Sequence, residues 1–192
     1  MACEKEQMTQ KLQRWAERTA SYRLPEWETI PDFGLYMDQV VVLLQQYLDF
    51  IPADGEGKDS FVTAATINNY VRLKLMPPPV KKKYSRVHLG YLVLILTLKL
   101  SLSISEIRRL LPADLEEPAA RALYDDFRTR FDRTRTRFAA QLTDAARELA
   151  DGGSETTAAQ LVMEYSLSAA CCTLLAGRLL GLESGDADFN KS

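Results

Sequence analysis

Three consecutive prolines, Pro77, Pro78 and Pro79, interrupt a chain whose remaining pattern is helical. A proline ring locks φ, removes a backbone donor and biases its predecessor towards extended geometry, so no helix runs through this point. The stretches "TAATINNYVRLKL" before them and "SRVHLGYLVLILTLKL" after them are therefore separate elements. Thr63 is placed to cap a helix through Leu75, with Ile67, Tyr70 or Val71, and Leu75 inward and Thr66, Asn68, Asn69 and Arg72 outward. Ser85 opens a second helix through about Leu100 that is apolar on almost all sides, the pattern of a buried central helix. Between them, Lys81 to Tyr84 are expected in an exposed β-ribbon or loop.

The flanking sequence extends the helical reading. A weakly amphipathic helix is expected from about Glu4 to Ser21, then the extended connector "YRLPEWETIPDF", anchored to the core by Trp27. Met37, Val40, Val41, Leu44, Leu48 and Ile51 recur at steps of three and four, which predicts a helix with one buried face. "PADGEGKDS" ends it and is expected to be a mobile insertion. Ser103 with Glu106 is a capping-box signature for a short helix that stops before Pro112. A long helix follows, with Ala120, Leu123, Phe127, Phe131, Thr134, Phe138, Leu142, Ala145 and Leu149 in one stripe. After "DGGS", a helix from Glu155 to Leu180 is expected to close at Gly181. No strand-rich region or internal repeat is evident. The 192 residues suffice for one core, or for a small module with a helical remainder.

Charge is distributed unevenly. Of 24 Lys and Arg, seven lie between Ser60 and Ser105, where none of the 26 Asp and Glu falls. A positive segment inside an otherwise acidic chain is the footprint expected of a nucleic-acid contact surface. Five cations, from Lys74 to Arg86, would give a log–log salt slope of roughly −4 to −5 if all met phosphates. The bland alternative is a basic loop that keeps an apolar region soluble. Arg128, Arg130, Arg133, Arg135 and Arg137 read as a solvated helix face.

Other chemistry finds little footing. Cys3, Cys171 and Cys172 suggest buried thiols in a reducing compartment, not a disulfide framework or metal site. His88, the single histidine, is expected to pack or hydrogen-bond inside a core helix. With no His/Cys/carboxylate cluster, phosphate loop or nucleophile motif, neither catalysis nor a cofactor is expected. The charged N-terminus is not a secretory signal, and the apolar run Tyr91 to Leu100 is shorter than the ~20 residues of a membrane span. A cytoplasmic protein with no membrane partner is expected.

The order of a polar-faced helix, a proline-marked turn, a basic tip with an aromatic, a capped core helix and a second short capped helix is that of a winged helix-turn-helix. From about Phe61 to Leu111 the sequence resembles the DNA-binding module of the MerR-like regulators. The whole chain also resembles an uncharacterised bacterial domain-of-unknown-function family that contains such a module. The MerR resemblance implies that the helix before the prolines enters the major groove while the segment after them grips the backbone as a small β wing. It implies phosphate contacts for Tyr70 and Arg72, a core anchor for Ile67, and the wing's basic–tyrosine pair for Lys83 and Tyr84. It matches Glu106 and Ile107 to the acidic–apolar step of the next helix. Asn68 and Asn69 stand where an arginine and an aromatic are usual, and Lys74 where a glycine is usual. Asparagine remains chemically suited to a bidentate contact with adenine.

The sequence therefore predicts an all-α chain with a winged helix-turn-helix. The expected parts are an N-terminal helix and connector over 1–34, the module over 35–112 and a packing or dimerising helical region over 113–192. The expected function is a DNA-binding transcriptional regulator. Thr66, Asn68, Asn69, Tyr70, Arg72 and Lys74 would face bases or phosphates, and Lys81, Lys82, Lys83, Tyr84 and Arg86 would clamp the backbone. A homodimer on double-stranded DNA is expected because symmetric helix-turn-helix proteins read two half-sites. The alternative is a protein-interaction or ligand-sensing module that keeps the scaffold without DNA binding, with Ala158, Ala159, Ser168, Ala169 and Ala176 lining a pocket or partner surface.

Overall fold

The computed structural model describes residues 2–51, 61–151 and 157–183. Its helices are α1 (Ala2–Ser21), α2 (Met37–Tyr47), α3 (Ala64–Arg72), α4 (Arg86–Leu98), α5 (Ile104–Leu110), α6 (Glu117–Ala150) and α7 (Ala158–Glu183), with one 3-10 turn at Trp27–Thr29. Among the described residues there is no strand, only two isolated antiparallel bridges, Leu35 with Tyr84 and Val80 with Lys83. The chain is thus all-α. The expected β wing is replaced by a one-bridge turn, because Pro79 and the helix-capping Ser85 leave only Val80 to Tyr84 between them. The expected mobile insertion at Pro52 to Ser60, the Gly152 to Ser154 break and the Cys3 side chain lie outside the described residues.

The backbone divides into two compact units, Leu24–Thr129 and Met1–Arg23 with Arg130–Ser192. In the first unit α4 is the core element. Every residue from His88 to Leu96 is buried, so this short helix needs no polar face. Leu89, Leu92, Val93, Ile95 and Leu96 are wholly inaccessible, each side chain contributing roughly 1.5–3 kcal/mol on burial. Around α4, α2 buries Val40 and Leu44, α3 buries Ile67 and Tyr70, and α5 buries Ile107. Trp27 anchors the connector as its size and amphipathic ring suggest. It is 2% exposed, and its ring lies 5.5 Å from that of Tyr124, whose hydroxyl donates to the Pro25 carbonyl at 2.9 Å.

The second unit packs α1 against the remainder of α6. Ala145, Leu149 and Leu161 form a small core with Leu12 against it, and Trp15 meets Phe138 edge-on at 5.6 Å. Along α6 the buried positions are Ala120, Tyr124, Arg135, Ala139, Leu142, Ala145, Ala146 and Leu149. The predicted stripe is therefore off by one residue at Leu123, Thr134 and Phe138, where Tyr124, Arg135 and Ala139 are the buried neighbours. Arg135 also departs from the solvated face assigned to it. Its guanidinium donates to the Thr19 and Ala20 carbonyls and to Asp132, so it closes the C-terminal end of α1, where free carbonyls and the helix dipole favour a cation.

α7 differs from the other helices. It runs two residues past Gly181, and from Val162 to Leu175 every residue is exposed, Cys171 and Cys172 included. The expectation of buried thiols is thus reversed for these two, since nothing among the described residues covers the middle of the helix. By length and composition alone, Ala158–Gly181 is also long and apolar enough to cross a membrane. The apolar run singled out in the sequence, Tyr91 to Leu100, instead belongs to the core.

Candidate nucleic-acid interface

α3 is built by its ends. Thr63 caps it, its hydroxyl accepting the Thr66 N–H at 3.1 Å. At the other end the helix stops at Arg72, three residues short of the expected Leu75. Lys74 takes a left-handed φ of 55°, its N–H reaching the Val71 carbonyl at 3.0 Å, and the Leu75 N–H reaches the Tyr70 carbonyl at 3.1 Å. These are the two bonds of a Schellman motif, with lysine in the place usually given to glycine. Leu75 and Met76 then bury themselves, each 2% exposed. Arg108 of α5 donates to the Leu73 carbonyl at 2.7 Å and secures the same corner.

The proline segment is held from below by the sole histidine. His88 Nε2 lies 3.3 Å from the Pro78 carbonyl, while its Nδ1 accepts the Ser85 N–H at 3.0 Å. Beyond the prolines the chain reverses at Lys81 (φ 50°) and Lys82 (φ 62°), closed by reciprocal bonds between Val80 and Lys83 of 2.9 and 3.1 Å. Left-handed backbone at both central residues is the geometry of a type I′ turn. All three positive-φ residues other than glycine among the described residues are therefore lysines of the candidate interface.

The turn also docks on the segment where the expected module begins. Leu35 and Tyr84 exchange two backbone bonds of 2.9 Å each. Gly34 is required there, because a Cβ at that position would lie 2.8 Å from the Lys83 Cβ. Lys83 extends its ammonium over the Tyr36 ring, 5.4 Å from the centroid, and Phe33 and Tyr36 are 65% and 56% exposed. Exposed aromatics next to lysines make a surface suited to a polyanion with stacked bases. Sequence reasoning missed both aromatics. The signal available was "FGLY", a glycine between aromatics beside Pro31, but the pairing spans nearly fifty residues.

The sequence-predicted contact residues fall into two groups. Arg72, Lys74, Lys81, Lys82 and Lys83 are exposed, as is Asn68. Asn69 is half-buried and its side-chain oxygen accepts from Arg72 at 2.7 Å, while the Thr66 hydroxyl is shared with Thr63 at 2.9 Å. Tyr70 and Tyr84, expected at phosphates, are instead 4% and 3% exposed, and burial raises the pKa of both phenols. The reason is helical register: Tyr70 shares the Ile67 face, and Tyr84 stacks edge-on against His88 at 5.6 Å. Arg86 is also drawn inward. Its Nε donates to the Ile30 carbonyl at 2.7 Å, and its other nitrogens lie 3.8 Å from Asp32 and 4.0 Å from Glu117. A guanidinium held in this way acts as a brace for the connector. Glu106 completes the capping box with Ser103, and the Ser103 hydroxyl and N–H, by bonding to its carboxylate, hold its pKa below the ordinary value. Among the described residues no group of three or more His, Cys, Asp or Glu is placed to hold a metal ion.

No curated protein and no solved structure matches this chain. Residues 25–127, however, match the family described as a domain of unknown function, DUF1836, and these limits nearly coincide with the compact unit Leu24–Thr129 that carries α3 and the basic turn. The chain belongs to the DUF1836 family.

Proposed function

We propose that the chain is a double-stranded DNA-binding protein, a transcriptional regulator of MerR-like type, that works in the cytoplasm as a homodimer. The observation that carries this reading is the use of lysine at all three strained positions, Lys74, Lys81 and Lys82. A non-glycine residue in the left-handed region costs about 1 kcal/mol or more, and glycine would remove that cost. Retaining a cation there is understandable where charge is the function of the position. In this reading α3 presents Asn68 and Arg72, the basic turn presents Lys81, Lys82 and Lys83, and Tyr36 and Phe33 add an aromatic edge. Tyr70, Tyr84 and Arg86 support the scaffold.

Titration of labelled duplex DNA tests this. Binding is expected at low salt, with a log–log salt slope approaching −4 to −5 if all five exposed cations engage. Changing Lys81, Lys82 and Lys83 together to Glu is expected to abolish it. Absence of binding at low salt, or full binding by the triple variant, would sink the reading. Selection from random duplexes, in which an enriched motif is expected, separates sequence recognition from charge alone.

A further inference from the structure

α7 carries a symmetric charge pattern that nothing within the described chain uses. Its only charged residues between Ala158 and Gly181 are Glu164 and Arg178, and Cys171 lies midway, seven residues from each. Two turns of helix separate successive members, so the three share one face. That face also carries Leu167, Leu174 and Leu175, exposed by 68%, 68% and 58%. Neither Glu164 nor Arg178 forms an ion pair among the described residues.

We infer that α7 is a self-association surface, on which a second copy of this chain packs its own α7 antiparallel about Cys171. Antiparallel pairing sets Glu164 of each copy against Arg178 of the other, Leu167 against Leu175, and Cys171 against Cys171. Parallel pairing in register would instead oppose Glu164 to Glu164 and Arg178 to Arg178. Leu167, Leu174 and Leu175 lie within about 60° of Cys171 around the helix, with Met163 and Leu179 at the flanks, so the contact face is an apolar seam closed at each end by a charge pair. Cys171 and Ser168, both small and within about 60° of each other on this face, allow the two backbones to approach closely. A bilayer is a poorer occupant. The uncharged run Tyr165 to Gly177 is about 20 Å long at 1.5 Å per residue, against a hydrocarbon core of about 30 Å, so Glu164 and Arg178 would both sit within lipid at a high desolvation cost.

The surface lies outside the residues that match the family and does not depend on DNA binding, so its test is made without DNA. The full chain is expected to have twice the chain mass by light scattering at micromolar concentration. With Cys3 changed to Ser throughout, a short bismaleimide is expected to trap a covalent dimer in Cys172→Ser, which keeps Cys171. Trapping is expected to be many-fold slower in Cys171→Ser, because adjacent helical residues diverge by about 100°. Glu164→Arg and Arg178→Glu are each expected to raise the dimer dissociation constant about tenfold, and the double variant to restore it. Far-ultraviolet circular dichroism confirms that each variant is helical. A persistent monomer, equal trapping through Cys172, or no rescue by the charge exchange overturns the inference. Co-sedimentation of monomer with phosphatidylcholine–phosphatidylglycerol vesicles would assign the face to lipid instead.

Discussion

His88 Nδ1 accepts the backbone N–H of Ser85 at 3.0 Å, so the side chain one turn into α4 closes the N-terminal end of its own helix. This role leaves the ring proton on Nε2, which points to the Pro78 carbonyl. One neutral imidazole thus joins the core helix, the proline segment and, through ring contact, Tyr84. A proton on Nδ1 would oppose two N–H groups.

The first prediction concerns pH. Burial lowers the pKa of His88, and the bond to the Pro78 carbonyl opposes this only in part. Between that lowered value and the ordinary 6.5 the unfolded chain binds more protons, so stability rises with pH. The contribution is complete above about pH 6.5 and is lost as pH falls towards the folded value. His88 is the only histidine and carboxylates titrate near 4, so urea unfolding between pH 7.5 and 5.5 isolates it. Stability is expected to fall by at most about 1.4 kcal/mol per pH unit, and His88→Gln to lose the dependence. A flat profile in the natural sequence would refute this account.

Lys74→Gly tests the strained end of α3. Glycine takes the left-handed conformation without the Cβ clash, so the variant is expected to gain about 0.5–1 kcal/mol and melt a few degrees higher. An unchanged or lower melting temperature would show that the lysine makes a compensating contact.

Lys81→Gly with Lys82→Gly separates backbone from charge. The type I′ turn becomes easier to form, so stability is expected to rise by about 1 kcal/mol. DNA affinity should fall at the same time, with the salt slope shallower by about 2. Undiminished affinity would remove these lysines from the interface.

Gly90→Ala is expected to run against helix propensity. A Cβ there would lie 2.8 Å from the Trp27 ring, which is also packed on Tyr124. Alanine gains about 1 kcal/mol as a helix former, whereas overpacking a rigid indole costs about 1–3 kcal/mol. Net destabilisation in chemical denaturation, with altered Trp fluorescence, checks this. A more stable variant would mean that the connector shifts freely.

The elements were legible where a local rule determines them. Thr63, Ser85 and Ser103 open helices because a hydroxyl, an imidazole or a carboxylate within three residues satisfies the first free N–H groups. Pro77 to Pro79 mark the break between α3 and α4, although α3 itself stops earlier, at Arg72, through the bonds of Lys74 and Leu75. The failures share a different cause. Tyr70 and Tyr84 were placed at DNA by the MerR resemblance and Arg86 by its charge. The Ile67 face, which spacing had already offered for Tyr70, the contact with His88 and the carbonyl of Ile30 draw them inward instead. In the middle of α6 the residues chosen by apolar spacing, Thr134 and Phe138, stand beside the buried Arg135 and Ala139, because the Thr19 and Ala20 carbonyls draw the Arg135 guanidinium inward.

What the sequence determined by itself, then, is an all-α chain, the helix starts set by caps, the break at the prolines, a core helix from Ser85 onward and a cationic segment free of acids. Each of these follows from interactions within a few residues or from composition. The tertiary structure alone decided that Phe33 and Tyr36 meet the basic turn, that Arg86 and Arg135 serve backbone carbonyls, and that α7 stays uncovered. Those outcomes depend on which distant backbone group or apolar face lies within a few ångströms of a side chain. Periodicity carries no record of that distance.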